Sequence, residues 1–589
     1  MAPCHVRSLL RLATTAAVLV LIGCGGPSSN DAAAERERGP ILLDATMEAG
    51  LAGYRHVHGG IGQKWMPEIV GPGCAFLDYD GDGWQDILLV GGGAWPETPE
   101  RPAALWLYRN RGDGTFELVT EEAGLGRLEV YPFGVAAADY DNDGDTDVFV
   151  TTLHENLLLR NDGGTFVEVS REAGLADEAL WSTSALFFDA DRDGWLDLFV
   201  ANYVSWTPET DVYCGHEGEK GYCTPQLYDG VPSTYYRNNG DGTFTNRTEE
   251  AGFAGAIEPG QDKALGVVEL DFDQDGWPDL FVANDTERDL LFRNEGDGTF
   301  AEEGIRRGVS FDQHGRPRAG MGVDAGVVDT SGRVSIFVGN FSQEMVGVYT
   351  NTPSGHFTDR ATISKIGHAS LLTLTFGLFL ADLDLDTDLD LFLANGHVQE
   401  HISEIVEGVT FAQPAQLFLN EGNGSYTEVS AGDAAPATPL VGRGAAYGDY
   451  DRDGDVDVLI VENDGTAHLW RNDTRAHTSE GAVRGPGFLR VSVEGNSVSV
   501  NRDGIGTVLV AVMDSVHMER RIRSGSSYLS ESERVATFGL GEAEVVDTLI
   551  VTWPDGEVDR FEQVGGNRHV HIRQGGGRLE PFASWYDTE

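Results

Sequence analysis

Basic residues are scarce in this chain: 41 lysines and arginines stand against 95 aspartates and glutamates in 589 residues, a formal charge of −54. A field of that sign repels nucleic acid and anionic lipid surfaces and draws divalent cations. Cysteine is scarcer still, five in all. Beyond the N-terminus no apolar run is long enough for a transmembrane helix. Also missing are a G-x-S-x-G elbow, a Walker loop and an H-E-x-x-H helix, which removes three common routes to catalysis. Glycine is plentiful, 76 residues, and 41 % of the chain is hydrophobic. That combination suits many tight turns between short strands around a real core.

The first residues, "MAPCHVRSLLRLATTAAVLVLIGCGGPSSN", put Arg7 and Arg11 before an apolar stretch too short to span a bilayer comfortably. Leu21-Ile22-Gly23-Cys24 resembles a bacterial lipobox, so residues 1–23 are expected to be a lipoprotein signal peptide and Cys24 the lipidated residue. Residues 24–40, small and polar, read as a flexible tether. The expectation is an exported protein anchored at the outer membrane or cell surface, with soluble secretion as the alternative. Of the remaining thiols, Cys214 and Cys223 sit nine apart in one loop, where export permits a disulfide. A zinc site with His216 is the alternative, but its ligand set is incomplete.

One acidic pattern recurs. "DYDGDGWQD" starts at Asp78, "DYDNDGDTD" at Asp139, "DADRDGWLD" at Asp189, "DFDQDGWPD" at Asp271, "DLDLDTDLD" at Asp382 and "DYDRDGDVD" at Asp449. A worn copy, "VVDTSGRVS" from Val327, keeps only Asp329 and Gly332. The starts are 61, 50, 82, 56, 55 and 67 residues apart, a repeat far beyond chance. Oxygens at positions 1, 3, 5 and 9 of such a turn can converge on one point, with glycine at position 6 allowing the backbone reversal. That is hard-oxygen geometry suited to calcium and less to magnesium. Unlike an EF-hand, position 12 is apolar in every full copy and the flanks alternate like strands. The expected ligands are Asp78, Asp80, Asp82 and Asp86; Asp139, Asp141, Asp143 and Asp147; Asp189, Asp191, Asp193 and Asp197. They continue with Asp271, Asp273, Asp275 and Asp279; Asp382, Asp384, Asp386 and Asp390; Asp449, Asp451, Asp453 and Asp457. About six Ca2+ sites follow, with doubt at the worn fifth loop and a weaker sixth, where Thr387 replaces the glycine.

Downstream of each loop comes a hairpin signal, as in "NLLLRNDGGTFVEVSREAGL" (156–175). Each repeat thus supplies four strands, the content of a propeller blade. The last repeat stops at "AHLWRND" (467–473) without its fourth strand, and "LLDATMEAGL" (42–51) supplies the missing piece from the other end. The expected fold is all-β: a seven-bladed propeller over 41–475, then a small β-rich domain over 486–575 and a tail, 576–589.

The aspartate loops resemble FG-GAP/VCBS repeats of the integrin-alpha propeller type. Residues 486–575 are similar to the ASPIC/UnbV domain through "NRDGIGTVLVAV" (501–512), "GSSYLS" (525–530), "FGLG" (538–541) and "VTWPDG" (551–556). Together they resemble the cartilage acidic protein family, here as a bacterial lipoprotein member.

On strand order, the calcium loops share one face with the C–D turns, and the long insertions at 202–233 and 396–415 lie on the other. They bring Tyr203, Trp206, His216, His397 and His401 to that opposite face as a possible surface for a protein or glycan. Packing of those aromatics onto the rim is the competing reading. The clustered carboxylates are committed to calcium, so the function expected is non-catalytic binding. A calcium-dependent polysaccharide lyase is the alternative; it needs a basic residue from Lys220, Lys263, Arg316, Arg318 or Arg443.

Overall fold

The computed structural model describes residues 40–582 apart from 96–101, 177–179, 217, 430–435 and 478–482. The expected signal peptide, Cys24 and all but the last residue of the tether lie outside the described residues. Among the described residues no helix is long and apolar enough to cross a membrane.

Seven four-stranded antiparallel sheets follow one another along the chain, each ordered A-B-C-D outward from a common centre. The first is Cys74–Leu77, Asp86–Val90, Leu105–Asn110 and Phe116–Leu118. Burial falls outward: in the second sheet Pro132–Ala138 and Asp147–Thr152 are buried throughout, while Phe166–Glu168 buries only its phenylalanine. Inner strands packed by neighbouring sheets on both faces need apolar residues at every position, which explains runs such as "FGVAAA" and "DVFV". The resulting cores lie between sheets: Leu88, Leu105 and Leu107 of the first pack with Val135, Val148 and Leu159 of the second.

The seventh sheet is built from both ends of the described chain. Gly442–Gly448, Asp457–Glu462 and Ala467–Asn472 are completed by Leu42–Asp44, with Leu42 opposite Asn472 and Asp44 opposite Trp470. A second device links the sheets. Asn161, at the end of strand C, donates its side-chain amide to Tyr79 O of the preceding sheet's loop (2.7 Å) and to Thr146 O of its own (3.0 Å). Asn238, Asn294, Asn351, Asn420 and Asn472 reach Tyr140, Ala190, Phe272, Val328 and Leu383 in the same way. Asn110 bonds to Tyr450 O (2.8 Å), joining first sheet to last and closing the ring.

The C-terminal part adds two further four-stranded sheets. In one, Gly487–Glu494 lies between Ala536–Gly541 and Arg568–Arg573, parallel to the latter; in the other, Val508–Met513 lies between Val516–Arg521 and Val545–Thr552. Leu489, Leu509, Phe538, Leu549 and Trp553 share the core between them.

The link from Arg521 to Ala536 enters the centre of the ring. Val135 N donates to Leu529 O (3.1 Å), Phe76 N to Glu531 O (3.1 Å) and Val323 N to Ser527 O (2.9 Å). Ser184 Oγ accepts from Leu529 N, Ser527 Oγ from Leu378 N, and Ser532 Oγ from Tyr447 N. Arg521 pairs with Glu269 (2.9 Å), so all seven innermost strands are engaged. At the tip, fully buried Tyr528 bonds to Val70 O on the far side (3.1 Å). Gly73 shows why small residues line the centre: a Cβ there would lie 1.8 Å from Leu529 O. The far mouth is closed by aromatic rings, Trp65 on Trp95 (4.7 Å), Trp95 on Tyr131 (4.8 Å) and Trp181 on Tyr203 (5.1 Å).

Candidate metal loops and the opposite face

The six complete A–B loops fold alike. In the second, Asp139 accepts from the amides of Asp143 (3.0 Å) and Gly144 (2.8 Å), and Asp143 accepts from Asp145 (2.9 Å). The ninth-position Asp147 accepts from Tyr140 (3.2 Å) and Asn161 (2.8 Å), so it fastens the loop to strand C. The third position is different. Oδ1 of Asp80, Asp141, Asp191, Asp273, Asp384 and Asp451 is buried without a hydrogen-bond partner in all six loops. A buried acceptor left unmatched costs about 1–3 kcal/mol, so six at one position argue for a missing positive group.

The donor set fits a hard divalent cation. Oxygens of Asp139, Asp141 and Asp147 lie within 4.8 Å of one another, as do those of Asp78, Asp80 and Asp82 and of Asp271, Asp273 and Asp279. Burial, together with neighbouring carboxylates, pushes Asp78 and Asp189 up to about 7 and Asp139 and Asp384 up to about 8. Such carboxyls stay ionised at neutral pH only with a cation beside them. In the third loop part of that role falls to a side chain: Arg237 bonds Asp191 (2.7 Å) and Asp193 (2.8 Å).

The worn fifth loop keeps a tight turn, with Asp329 accepting from Ser331 N (2.8 Å), but Ser335 stands where the ninth aspartate would be. Its asparagine, Asn351, has a buried Oδ1 without a partner, because Pro353 stands two residues on and has no N–H to give. The sixth loop retains the fold despite Thr387, which is held at φ +101°. Its Asp382 accepts from Asp386 N (3.0 Å) and Thr387 N (3.2 Å) as the glycine loops do. One acidic residue escaped the sequence reading: Asp455, at position 7 of the last loop, is fully buried with an unpartnered Oδ1. Burial and Asp453 push it up to about 11. A third aspartate class at position 7 (Asp145, Asp388, Asp455) was visible in the repeat.

The C-terminal domain rests on this same face. Asp503 accepts from Asp139 N (2.8 Å), Asp382 from Gly539 N (2.9 Å) and Leu385 O from Gly541 N (3.0 Å). Buried Arg490 ion-pairs with Asp449 and Glu533.

On the opposite face the structure corrects the expected contact surface. Tyr203 and Trp206 are 3 % and 4 % exposed, packed into the aromatic closure with Tyr203 bonded to Asp285 and Trp206 to Asp211, so they serve packing. His397 is fully buried beside Ser342 (3.2 Å), and burial lowers it to about 4. His401 is exposed beside Glu404 (3.6 Å). The His216 side chain lies outside the described residues. Cys214 and Cys223 form a disulfide. Exposed instead are Tyr213 and Leu227 of the first insertion and Ile405 of the second.

Four of the five candidate basic residues are paired: Lys220 with Asp211, Lys263 with Glu287, Arg316 with Asp312 and Arg318 with Asp359. Arg443 is fully buried against three backbone carbonyls and the Phe376 ring. The insertions also assemble a cluster that no local motif announced. Lys64 bonds Glu400 (2.8 Å) and lies over the Tyr222 ring (4.8 Å), and the Tyr222 hydroxyl donates to Glu68 (3.3 Å). Glu68 is 1 % exposed with Oε1 unpartnered, and burial raises its pKa. These residues come from three distant segments, which is why sequence proximity hid them.

The chain carries FG-GAP-like repeats, matched over residues 78–150, 139–200 and 271–332, and a C-terminal ASPIC and UnbV domain, matched over 497–579. It is 29 % identical over 288 residues to cartilage acidic protein 1 of Xenopus tropicalis, covering 48 % of this chain and 40 % of that protein. The chain thus spans well under half the length of the curated relatives it matches. Among solved structures it is similar to an Agrocybe aegerita lectin that recognises non-reducing terminal N-acetylglucosamine, at 17 % identity and a TM-score of 0.36, covering 63 % of this chain and 84 % of that one. The rhamnogalacturonan lyase YesW aligns at 12 % identity and a TM-score of 0.33, covering 68 % and 71 %. The repeats and the terminal domain together point to a binding or extracellular function.

Proposed function

We propose that this is an exported, lipid-anchored calcium protein that works by binding, recognising a protein or glycan through the face opposite its metal loops. The carrying observation is occupancy. The metal face supports the C-terminal domain and the centre of the ring is filled by residues 523–534, which leaves the insertion face, with Tyr213, Leu227 and Ile405 exposed, for a partner. Calcium supplies the charge that the third-position aspartates lack, and the aspartates fix the loops on which the terminal domain rests. Cys24 would carry the lipid.

A glycan array probed with the mature protein in calcium tests the reading, with surface crosslinking on cells for a protein partner. Captured ligands should be lost on Ile405→Asp or Tyr213→Ala and kept on Gln274→Ala, which lies on the metal face. Ligands indifferent to the insertion-face changes would overturn it.

Glycan cleavage is the second reading, and the Lys64–Tyr222–Glu68 cluster favours it: a buried carboxyl of raised pKa beside a phenol and an ammonium can move protons. Turnover of an acidic polysaccharide that disappears in Glu68→Gln would establish it.

A further inference from the structure

The worn fifth loop borders a cavity. A space of about 260 Å³ lies between the ring and the C-terminal domain, walled on one side by Val327, Gly332 and Val334. Asp271 and Asp382, the first residues of the two flanking metal loops, also line it, and beyond the direction of a Gly332 Cβ there is open space. Volume is therefore present where a full loop would have carried side chains.

Its polar lining has unspent capacity. The Tyr447 and Ser526 hydroxyls have no hydrogen-bond partner among the described residues, and Thr537 Oγ1 is buried without one. Ser532 accepts from Tyr447 N and keeps its own proton to donate. The Glu519 carboxylate is likewise without a hydrogen bond among the described residues. Glu531 spends Oε2 on Ser524 (3.0 Å) and Gly525 N (2.8 Å) and keeps Oε1. On the donor side Arg520 bonds three backbone carbonyls, one from each nitrogen, and ion-pairs with Asp382 (3.6 Å); with five N–H groups it keeps one donor to spare.

We propose that this cavity binds a small neutral polyol of monosaccharide size. Four hydroxyls face one space with six carboxyl and four guanidinium side chains, of which Arg520 pairs with Asp382 and Arg521 with Glu269, so neither sign of charge prevails. A cation would meet Arg520, and an anion would meet Glu519 and Glu531. A ligand whose every group both donates and accepts satisfies both kinds of wall. The volume lies just under the range of about 300–1,000 Å³ for small-molecule pockets, which limits the ligand to about one sugar ring. The site is separate from the insertion face and does not depend on what that face recognises.

The test is saturation-transfer NMR and calorimetry on the calcium-loaded full mature chain, with glucose, N-acetylglucosamine, mannitol, glucosamine and glucuronate as probes. At least one neutral probe should bind, and the two charged ones should bind at least tenfold more weakly. Tyr447→Phe and Glu519→Gln should each weaken binding about five- to tenfold with the melting temperature held. Val327→Trp, at a half-buried position outside the packed cores, should abolish it. Binding only of a charged probe overturns the ligand class. No binding of any probe, or binding unchanged in all three variants, means the space holds ordered water only and overturns the site.

Discussion

Thr387 is the one non-glycine among the sixth positions of the six complete loops, and its φ of +101° is a region that β-branched residues avoid. Such strain costs on the order of 1–3 kcal/mol. Thr387→Gly should therefore stabilise the calcium-loaded protein by about 1 kcal/mol, after the entropy cost of a new glycine, read as a higher urea midpoint at unchanged slope. A lower midpoint would show that the threonine side chain makes a compensating contact. The loop carboxyls give a second expectation. Burial holds Asp78 near 7 and Asp139 and Asp384 near 8 in the ion-free fold, against about 4 in an unfolded chain. The folded state then binds extra protons between those values, so ion-free stability falls as pH rises from 5 to 8. Calcium should remove that slope, because it takes the protons' place. Melting curves at four pH values with calcium and with chelator measure it, and parallel slopes would refute it. At this scale the repeated aspartates were plain in the sequence because they recur in register. Tyr203 and Trp206 misled: a loop aromatic reads as exposed until the aromatics from other loops that bury it are in place.

Between elements, the strand-C asparagine does more than its place in a hairpin suggests. Asn161 satisfies two carbonyls from two sheets and accepts from Gly164 N (2.7 Å). Asn161→Ala should cost about 3 kcal/mol, since it strands three buried or half-buried groups. Asn351→Ala should cost clearly less, because its Oδ1 already lacks a partner. Equal costs from urea unfolding would deny the link between sheets. The dipeptide Arg-Asn or its relics ended each third strand in the sequence, so the signal was present. Its meaning was not, because the acceptor belongs to the previous repeat. The closing strand was legible for a simpler reason: one repeat lacked a fourth strand and the other end of the chain had one to spare.

For the molecule as a whole, the ring and its terminal domain depend on the same loops. Asp139, Asp382 and Asp449 each contact the domain and sit first in a metal loop. Chelation should loosen the domain, and with it the segment in the ring's centre. Limited proteolysis ought then to cut near 523–534 at least tenfold faster than in calcium, while Arg490→Ala cuts faster in both conditions. Equal protection with and without calcium would separate the domain from the metal. None of this was readable from "GSSYLS" and its flanks, because the partners of residues 521–536 lie in seven sheets spread from Phe76 to Tyr447.

The seam in the last sheet also sets a timetable. Thr46 bonds Leu469 across 423 residues, so the strand Leu42–Asp44 waits for nearly the whole ring before it has a partner. At about 5–20 residues per second that wait is roughly 20 to 90 s. Throughout it six sheets can form while the seventh gap bares the apolar faces of the first and sixth sheets, a surface prone to wrong contacts. A newborn chain of this design is most vulnerable just before completion, and whatever escorts it has to hold an almost finished ring open until the central segment, made after all seven sheets, can drop in.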